Sequence, residues 1–417
     1  MEKFEIIGGR KIEGTIRNQG AKNSALPVAV ASLLTDEEVI LRNIPSVWDV
    51  KNEAEVLRAT GAKVHEGLNM RICANSIHNP NIAAEAAKRI RSSILVPAAL
   101  ISRFSSMKIP VPGGDSIGTR KIDAYLLGLK SLGATFTANK GVILVEADEV
   151  RGTEISLHFP SVTATEGVVI ASTLAEGRTI ITNAAKEPEV VDLSNFLNSM
   201  GAKIMGAGTR TIKVNGVKNL HGTEYTIIPD RIAAGTFMTA AAITGGNLLI
   251  ENVVPSHLGA TTRKLRKTGV EISEFEHSIK VECRSKDIKA TDIITRVHPG
   301  FPTDMQPIFM ALMTIANGTS QIKETLYDGR FTHVKDLTKM GAIIRIDKDT
   351  ATVKGVKRLK CSKVKARDIR SGAAMTLAGL AAEGITEVSN VYEVDRGYEK
   401  LDEVLSKVGA EIKRVKG

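Results

Sequence analysis

Leu197-Asn198-Ser199-Met200-Gly201-Ala202-Lys203-Ile204 joins an apolar residue, a glycine four places on, and an alanine that leads into strand-like residues. The phrase occurs six times. It ends at Gly61, Gly133, Gly201, Gly269, Gly341 and Gly409, with Leu57, Leu129, Leu197, Leu265, Leu337 and Leu405 upstream; Val270 alone replaces the alanine. Successive glycines lie 72, 68, 68, 72 and 68 residues apart. Each phrase reads as the last apolar turn of a helix closed by glycine, which adopts the left-handed conformation without strain. A strand follows at once. The chain is therefore expected to consist of six copies of one α/β unit, grouped as two domains of three. The period exceeds that of the common solenoids, whose repeats run roughly 20–50 residues.

A second landmark precedes each glycine by roughly 38–44 residues, where an apolar, alanine-rich helix is predicted to begin. The starts are Ala21-Lys22-Asn23-Ser24, Arg89-Ile90-Arg91-Ser92, Ser161-Val162-Thr163, Asp230-Arg231-Ile232, Thr303-Asp304-Met305 and Asp368-Ile369-Arg370-Ser371. Helices apolar on all sides belong in a core. The helix leading into each glycine is amphipathic instead, and begins near Trp48-Asp49, Arg120, Glu187-Pro188-Glu189, His257, Arg330 and Arg396. Each unit thus reads as strand, buried helix, strand, surface helix and further strands.

The unusual charges fall at these starts. Lys22, Arg91, Asp304 and Arg370 occupy the first position, and Arg120, Arg330 and Arg396 the second. A helix N-terminus presents free N–H groups and partial positive charge, which disfavours cations unless an anion is also present. Their recurrence points to convergent binding of phosphate or carboxylate. The plainer reading is that each cation caps a loop or pairs with a carboxylate.

Composition narrows the partners. The chain has 417 residues, 43% of them hydrophobic and 4% aromatic, with a net charge of +10. The positive charge is scattered, and the bases of a nucleic acid would find few aromatic platforms, so anionic small molecules are favoured over nucleic acid. The longest uncharged stretch, Ile232 to Ile250, approaches a membrane span in length. Gly235, Gly245, Gly246 and Asn247 interrupt it, so a buried helix, a turn and a strand are expected there. The first residues lack a signal-peptide pattern. Cys73, Cys283 and Cys361 are few and never in Cys-x-x-Cys spacing. A cytoplasmic protein is expected, with no membrane segment, metal, organic cofactor or obligate protein partner.

Two segments carry candidate chemistry. Pro112-Gly113-Gly114-Asp115-Ser116-Ile117-Gly118-Thr119-Arg120 is the most glycine-rich loop and is suited to closing over a substrate. It matches neither the Walker A nor the dinucleotide-binding pattern. Asp115 could act as an acid if burial or an anionic substrate raised its pKa; the alternative is a surface turn. Pro299-Gly300-Phe301-Pro302-Thr303-Asp304-Met305-Gln306 sets a carboxylate before a buried helix, where Asp304 is either functional or an N-cap.

These segments, with Gly20-Ala21-Lys22-Asn23, Arg91-Ser92, Glu187-Pro188-Glu189 and Asp395-Arg396-Gly397-Tyr398-Glu399, resemble the UDP-N-acetylglucosamine 1-carboxyvinyltransferases over essentially the full length. The resemblance implies two inside-out α/β barrels of three repeats each, one spanning 22–229 and the other 1–21 plus 230–417, with the active site in the cleft between them. It implies transfer of the enolpyruvyl group of phosphoenolpyruvate to the 3′-hydroxyl of UDP-N-acetylglucosamine, the first committed step of peptidoglycan synthesis. By match to the family motifs, Lys22, Arg120 and Arg396 bind phosphoenolpyruvate, with Asn23 beside them and Arg330 and Arg370 adding positive field. Asn23, Arg91, Asp123, Ser161, Val162, Thr163 and Leu326 contact the sugar nucleotide. Asp304 helps to deprotonate the 3′-hydroxyl, and Asp115 is the general acid.

Three departures from the family pattern stand out. Asp115 replaces the usual loop cysteine, so resistance to the alkylating inhibitor fosfomycin is expected. Thr163 replaces a glycine in the Ser-Val-Gly-Ala-Thr segment. Lys121-Ile122-Asp123-Ala124-Tyr125 replaces Pro-Val-Asp-Leu-His. The alternatives are a sister enzyme acting on shikimate 3-phosphate, a transferase with another acceptor, a catalytically silent nucleotide-sugar-binding paralogue, and an RNA-binding relative.

Overall fold

A computed structural model describes residues 2–78, 80–82, 89–110, 122–283 and 287–416. The glycine-rich loop 112–120, with Asp115 and Arg120, lies outside the described residues. The third repeat displays the plan in full. Strand Glu154–Ser156 leads to buried helix Val162–Ser172, strand Arg178–Thr182, surface helix Pro188–Ser199 and the hairpin Lys203–Met205 with Thr211–Asn215. Arg178–Thr182 pairs parallel with Glu154–Ser156 and antiparallel with Thr211–Asn215. A parallel neighbour requires a crossover, and the buried helix supplies it.

All six repeat glycines have positive φ, between 87° and 107°. At Gly201 the closing motif is complete: Gly201 N–H donates to Asn198 O at 3.0 Å and Ala202 N–H to Leu197 O at 3.0 Å. The second bond reaches back to the leucine of the repeated phrase, which explains its fixed distance from the glycine. Leu197 is fully buried, so one residue both ends the helix and anchors it.

A second repeated device follows the strand after each buried helix. Asn43, Asn183, Asn252 and Asn390 all have positive φ. Their Nδ2 groups donate to Ile227, Leu157, Asn18 and Ala366 carbonyls at 2.7–2.9 Å. Each thereby ties its strand to the end of the parallel neighbour, where the chain approaches the start of a buried helix. Asparagine tolerates the left-handed conformation and supplies the donor.

The chain ends are woven into the repeats. Glu2–Ile7 lies antiparallel between Ile385–Ser389 and Glu411–Lys416, taking the place of an inner hairpin strand. Glu13–Arg17 pairs parallel with Asn247–Glu251, and Glu224–Thr226 with Val39–Arg42. Two compact units result. One takes residues 1–19 and 229–417; the other takes the described residues of 20–228. The crossings fall at 19/20 and 228/229, against 21/22 and 229/230 read from the sequence. Hydrogen bonds set the difference. Gln19 binds Gly397 O and the Glu399 N–H, whereas Ala21 N–H donates to Ile228 O at 2.8 Å.

Each unit has its own apolar core. In the first, helices Arg231–Thr244, Gln306–Met313 and Ile369–Ala381 pack against one another. The uncharged stretch 232–250 folds as helix, left-handed Gly245 and strand. In the second unit, Val96–Leu100 packs against both Lys22–Ala31 and Val162–Ser172. Among the described residues no helix is long and apolar enough to cross a membrane.

Candidate active site

In the unit built from 1–19 and 229–417, Asp304 holds two buried arginines. Its Oδ1 accepts from Arg330 Nη2 at 2.8 Å; its Oδ2 accepts from Arg370 Nε at 3.1 Å and Nη2 at 2.9 Å. Both guanidiniums are 3% exposed. The N-cap reading of Asp304 is thereby overturned, because no side-chain cap forms there and the carboxylate turns to the arginines. Arg370 is the second residue of its helix, where Asp368 caps the end through the Arg370 and Ser371 N–H groups. Burial alone would lower the Arg370 pKa. The Asp304 carboxylate, followed by Tyr398 and Asp230, outweighs it and holds the guanidinium above its ordinary value. Arg370 Nη1 and Arg330 Nε are buried without a hydrogen-bond partner. Two guanidiniums facing one carboxylate leave net positive charge and unused donors, an arrangement suited to a further anion.

Arg396 is 8% exposed, and its Nη1 contacts Glu393 Oε2 at 2.8 Å. Leu326 is half-buried in the turn before Arg330, and its N–H donates to Glu324 Oε1 at 2.9 Å. Glu324 is a residue that sequence reasoning missed. Its Oε1 also accepts from the Thr295 hydroxyl at 2.8 Å and from Tyr327 N–H at 3.3 Å, while Oε2 accepts from the Thr303 hydroxyl at 2.9 Å. One buried carboxylate thus holds the turn bearing Leu326 and the residue preceding Asp304. A signal was present: Glu324 follows strand Thr319–Lys323 at the position that asparagine occupies in four other repeats.

In the unit built from 20–228, Lys22 is the first residue of its helix and is 7% exposed; its Nζ contacts Asp49 Oδ2 at 3.0 Å. Asp49, at the start of surface helix Trp48–Ala59, is equally buried and offsets the cation at the helix end. Asn23 is half-buried beside it. Glu53, one turn along from Asp49, accepts a short hydrogen bond from the Ser92 hydroxyl, next to Arg91. Burial pushes Glu53 up to about 8 against the lowering effect of Ser92, and the Asp49 charge adds to the rise. Ser161 caps helix Val162–Ser172, its hydroxyl accepting from Ala164 N–H at 3.3 Å. Val162 and Thr163 form the first turn, whose N–H groups have no intrahelical acceptor. Asp123 is exposed at the start of helix Asp123–Ser131. Glu166, deep in the same helix as Thr163, is held well above its ordinary pKa by burial, with Glu189 and Glu187 adding to the effect.

The structure therefore joins Asp304, Arg330 and Arg370 directly, and sets Lys22, Asn23, Arg91, Ser161, Val162 and Thr163 at the starts of buried helices. The paired-carboxylate reading of the cations holds for Lys22, Arg330, Arg370 and Arg396, yet Asp304 alone serves two of them. Among the described residues no group of three or more His, Cys, Asp or Glu is placed to hold a metal ion.

Six such repeats, in two sets of three with cations gathered at buried helix starts, define an enolpyruvyl transferase-like protein. A solved enolpyruvyl transferase, NikO from Streptomyces tendae, has the same fold, with a TM-score of 0.90 over 100% of this chain and 99% of that one at 23% identity. EPSP synthase from Acinetobacter baumannii matches with a TM-score of 0.76 over 100% of both chains at 17% identity. The chain belongs to the family described as EPSP synthase (3-phosphoshikimate 1-carboxyvinyltransferase), whose profile matches residues 6–405, and within it to the UDP-N-acetylglucosamine 1-carboxyvinyltransferases. UDP-N-acetylglucosamine 1-carboxyvinyltransferase 1 of Caldanaerobacter subterraneus subsp. tengcongensis is 48% identical over 99% of both chains. The UDP-N-acetylglucosamine 1-carboxyvinyltransferase of Magnetococcus marinus is 46% identical over 100% of both.

Proposed function

We propose that this protein transfers the enolpyruvyl group of phosphoenolpyruvate to the 3′-hydroxyl of UDP-N-acetylglucosamine with release of phosphate. The observation that carries the reading is full-length identity of 46–48% to proteins named for that reaction. The site agrees with it chemically. Phosphoenolpyruvate brings a carboxylate and a phosphate, and Lys22, Asn23, Arg120 and Arg396 bind it, with Arg330 and Arg370 contributing positive field. Preorganised cations of this kind stabilise charge as it develops.

In the addition step Asp115 gives a proton to C3 of phosphoenolpyruvate while the 3′-oxygen of the sugar bonds to C2. The hydroxyl proton passes to Asp304. The resulting tetrahedral ketal then loses phosphate by cleavage of the bond between C2 and the phosphate oxygen, and a C3 proton returns to the Asp115 carboxylate as the double bond forms again. Asn23, Arg91, Asp123, Ser161, Val162, Thr163 and Leu326 hold the sugar nucleotide. Thr163 in place of glycine preserves the backbone N–H of the helix end, so the exchange alters side-chain space rather than the anion-binding group. The product places the protein at the first committed step of peptidoglycan assembly, in the cytoplasm, and so in cell-wall growth and division.

The test is mass-spectrometric detection of enolpyruvyl-UDP-N-acetylglucosamine from the two substrates, with shikimate 3-phosphate as the competing acceptor. Product from the sugar nucleotide alone supports the reading. Product from shikimate 3-phosphate alone moves the chain to the sister activity, and none from either favours a binding protein without catalysis.

A further inference from the structure

Surface helix Gly259–Lys267 carries Arg263, Lys264, Arg266 and Lys267, a density of cations that no other helix among the described residues matches. Arg266 is neutralised by Glu274 at 3.0 Å. The others turn to a cavity of about 270 Å³ lined by Ala260, Arg263, Lys264, Lys267, Ile294, Arg296 and Phe301. Arg296 lines it from a separate segment, on the turn where its N–H donates to Phe301 O at 3.0 Å. Phe301 is fixed edge-on against Phe309 at 5.4 Å between ring centroids, which makes it a rigid apolar wall.

Charge around this cavity is unbalanced. Lys264 Nζ donates to the Asp292 carbonyl at 2.5 Å, and Arg263, Lys267 and Arg296 form no ion pair among the described residues. Burial, with the charges of Lys267 and Arg263, lowers the Lys264 pKa against the opposing effect of Asp292. Like charges one turn apart on a helix repel. Four cations lining one partly apolar cavity therefore form a site that an anion would stabilise. The volume falls just below the roughly 300–1,000 Å³ of drug-sized ligand sites, which sets the scale at a fragment rather than a nucleotide sugar.

We infer that this cavity binds a small organic phosphate, its phosphate held by Arg263, Lys264, Lys267 and Arg296 and its apolar or aromatic part lying against Ile294 and Phe301. The site is separate from the residues assigned above to phosphoenolpyruvate and the sugar nucleotide. It abuts the segment 295–304, so a bound ligand would steady the turn that precedes Asp304.

The test uses the full-length protein and 1-naphthyl phosphate, titrated by calorimetry, with orthophosphate and 1-naphthol as partial probes. Wild type and Lys22→Ala, which removes a cation of the proposed catalytic site, should bind 1-naphthyl phosphate equally and with one-to-one stoichiometry at the cavity. Arg263→Ala/Lys267→Ala, two exposed changes, should weaken binding roughly tenfold or more. Each partial probe should bind roughly tenfold more weakly than the whole. Arg296→Ala, on the separate lining segment, should weaken binding as well. Binding that survives the double variant, disappears in Lys22→Ala, is matched by either partial probe, or cannot be detected in wild type would overturn the inference.

Discussion

Replacing Asp304 with asparagine removes one negative charge from between two guanidiniums that are each 3% exposed. Three charge-assisted hydrogen bonds, at 2.8, 2.9 and 3.1 Å, lose their ionic acceptor. Breaking a buried pair by removing one partner costs about 3–5 kcal/mol, because the other charge stays buried. The Asp304 side chain is itself 26% exposed, and the lower end, about 3 kcal/mol, is the appropriate figure. For a unit of this size each kcal/mol moves the melting temperature by about 2–4 °C, so the variant should melt roughly 6–12 °C below wild type. Scanning calorimetry in a phosphate-free, low-salt buffer reads this directly. Two further results should follow from the same cause. Added phosphate should stabilise the variant more than wild type, since an anion now compensates the arginines. Asp304→Asn/Arg370→Gln should recover part of the loss, because removing both partners relieves the unpaired charge. A variant that melts within about 2 °C of wild type, or a double variant that is additively worse, would refute the counter-ion role of Asp304.

Other substitutions probe the remaining contacts. Glu324→Ala removes the four hydrogen bonds that hold the Leu326 turn and Thr303; it should raise KM for the sugar nucleotide and lower kcat by up to roughly 100-fold, while Glu324→Gln retains most activity. Equal kinetics for Glu324→Ala and wild type would count against it as a positioning residue. Glu53 keeps its proton in the folded protein up to about pH 8, whereas the unfolded chain releases it near the ordinary 4.5. Stability should therefore fall as pH rises through that interval, by up to roughly 5 kcal/mol, and Glu53→Gln should flatten the loss. His333 acts in the opposite direction. Burial and then Arg330 lower it from 6.5 to about 3, so its contribution is lost as pH falls below 6.5; urea melts across pH 4–9 separate the two. Fosfomycin should leave the wild type active after prolonged incubation and should inactivate Asp115→Cys with covalent labelling, because a thiolate is alkylated where a carboxylate is not. Rapid labelling of Asp115 itself would contradict this.

The repeat plan was legible because it depends on backbone conformations that few residues permit. Gly201 and its five counterparts must enter the left-handed region, and the leucine four places upstream must both anchor the helix and accept the closing bond. Buried helices were legible from their lack of polar faces, as at Arg231–Thr244. The positions of Lys22, Arg91 and Arg370 at helix starts followed from the same pattern. What stayed hidden depends on contacts between distant segments. Asp304 reads equally well as a cap until Arg330 of its own repeat and Arg370 of the next are brought to it. Glu324 looks like a charged residue after a strand, and its value lies in Thr295 and Thr303, 29 and 21 residues away. Where the chain passes from one unit to the other depends likewise on distant partners, Gly397 for Gln19 and Ile228 for Ala21.

The central claim is that a carboxyl group in the glycine-rich loop drives enolpyruvyl transfer to a nucleotide sugar. It is tested most directly by phosphate release from phosphoenolpyruvate, measured with and without UDP-N-acetylglucosamine for wild type and Asp115→Asn. Release is expected to require the sugar nucleotide and to collapse in the variant. Release that ignores the sugar nucleotide, or an Asp115→Asn variant as active as wild type, would contradict it.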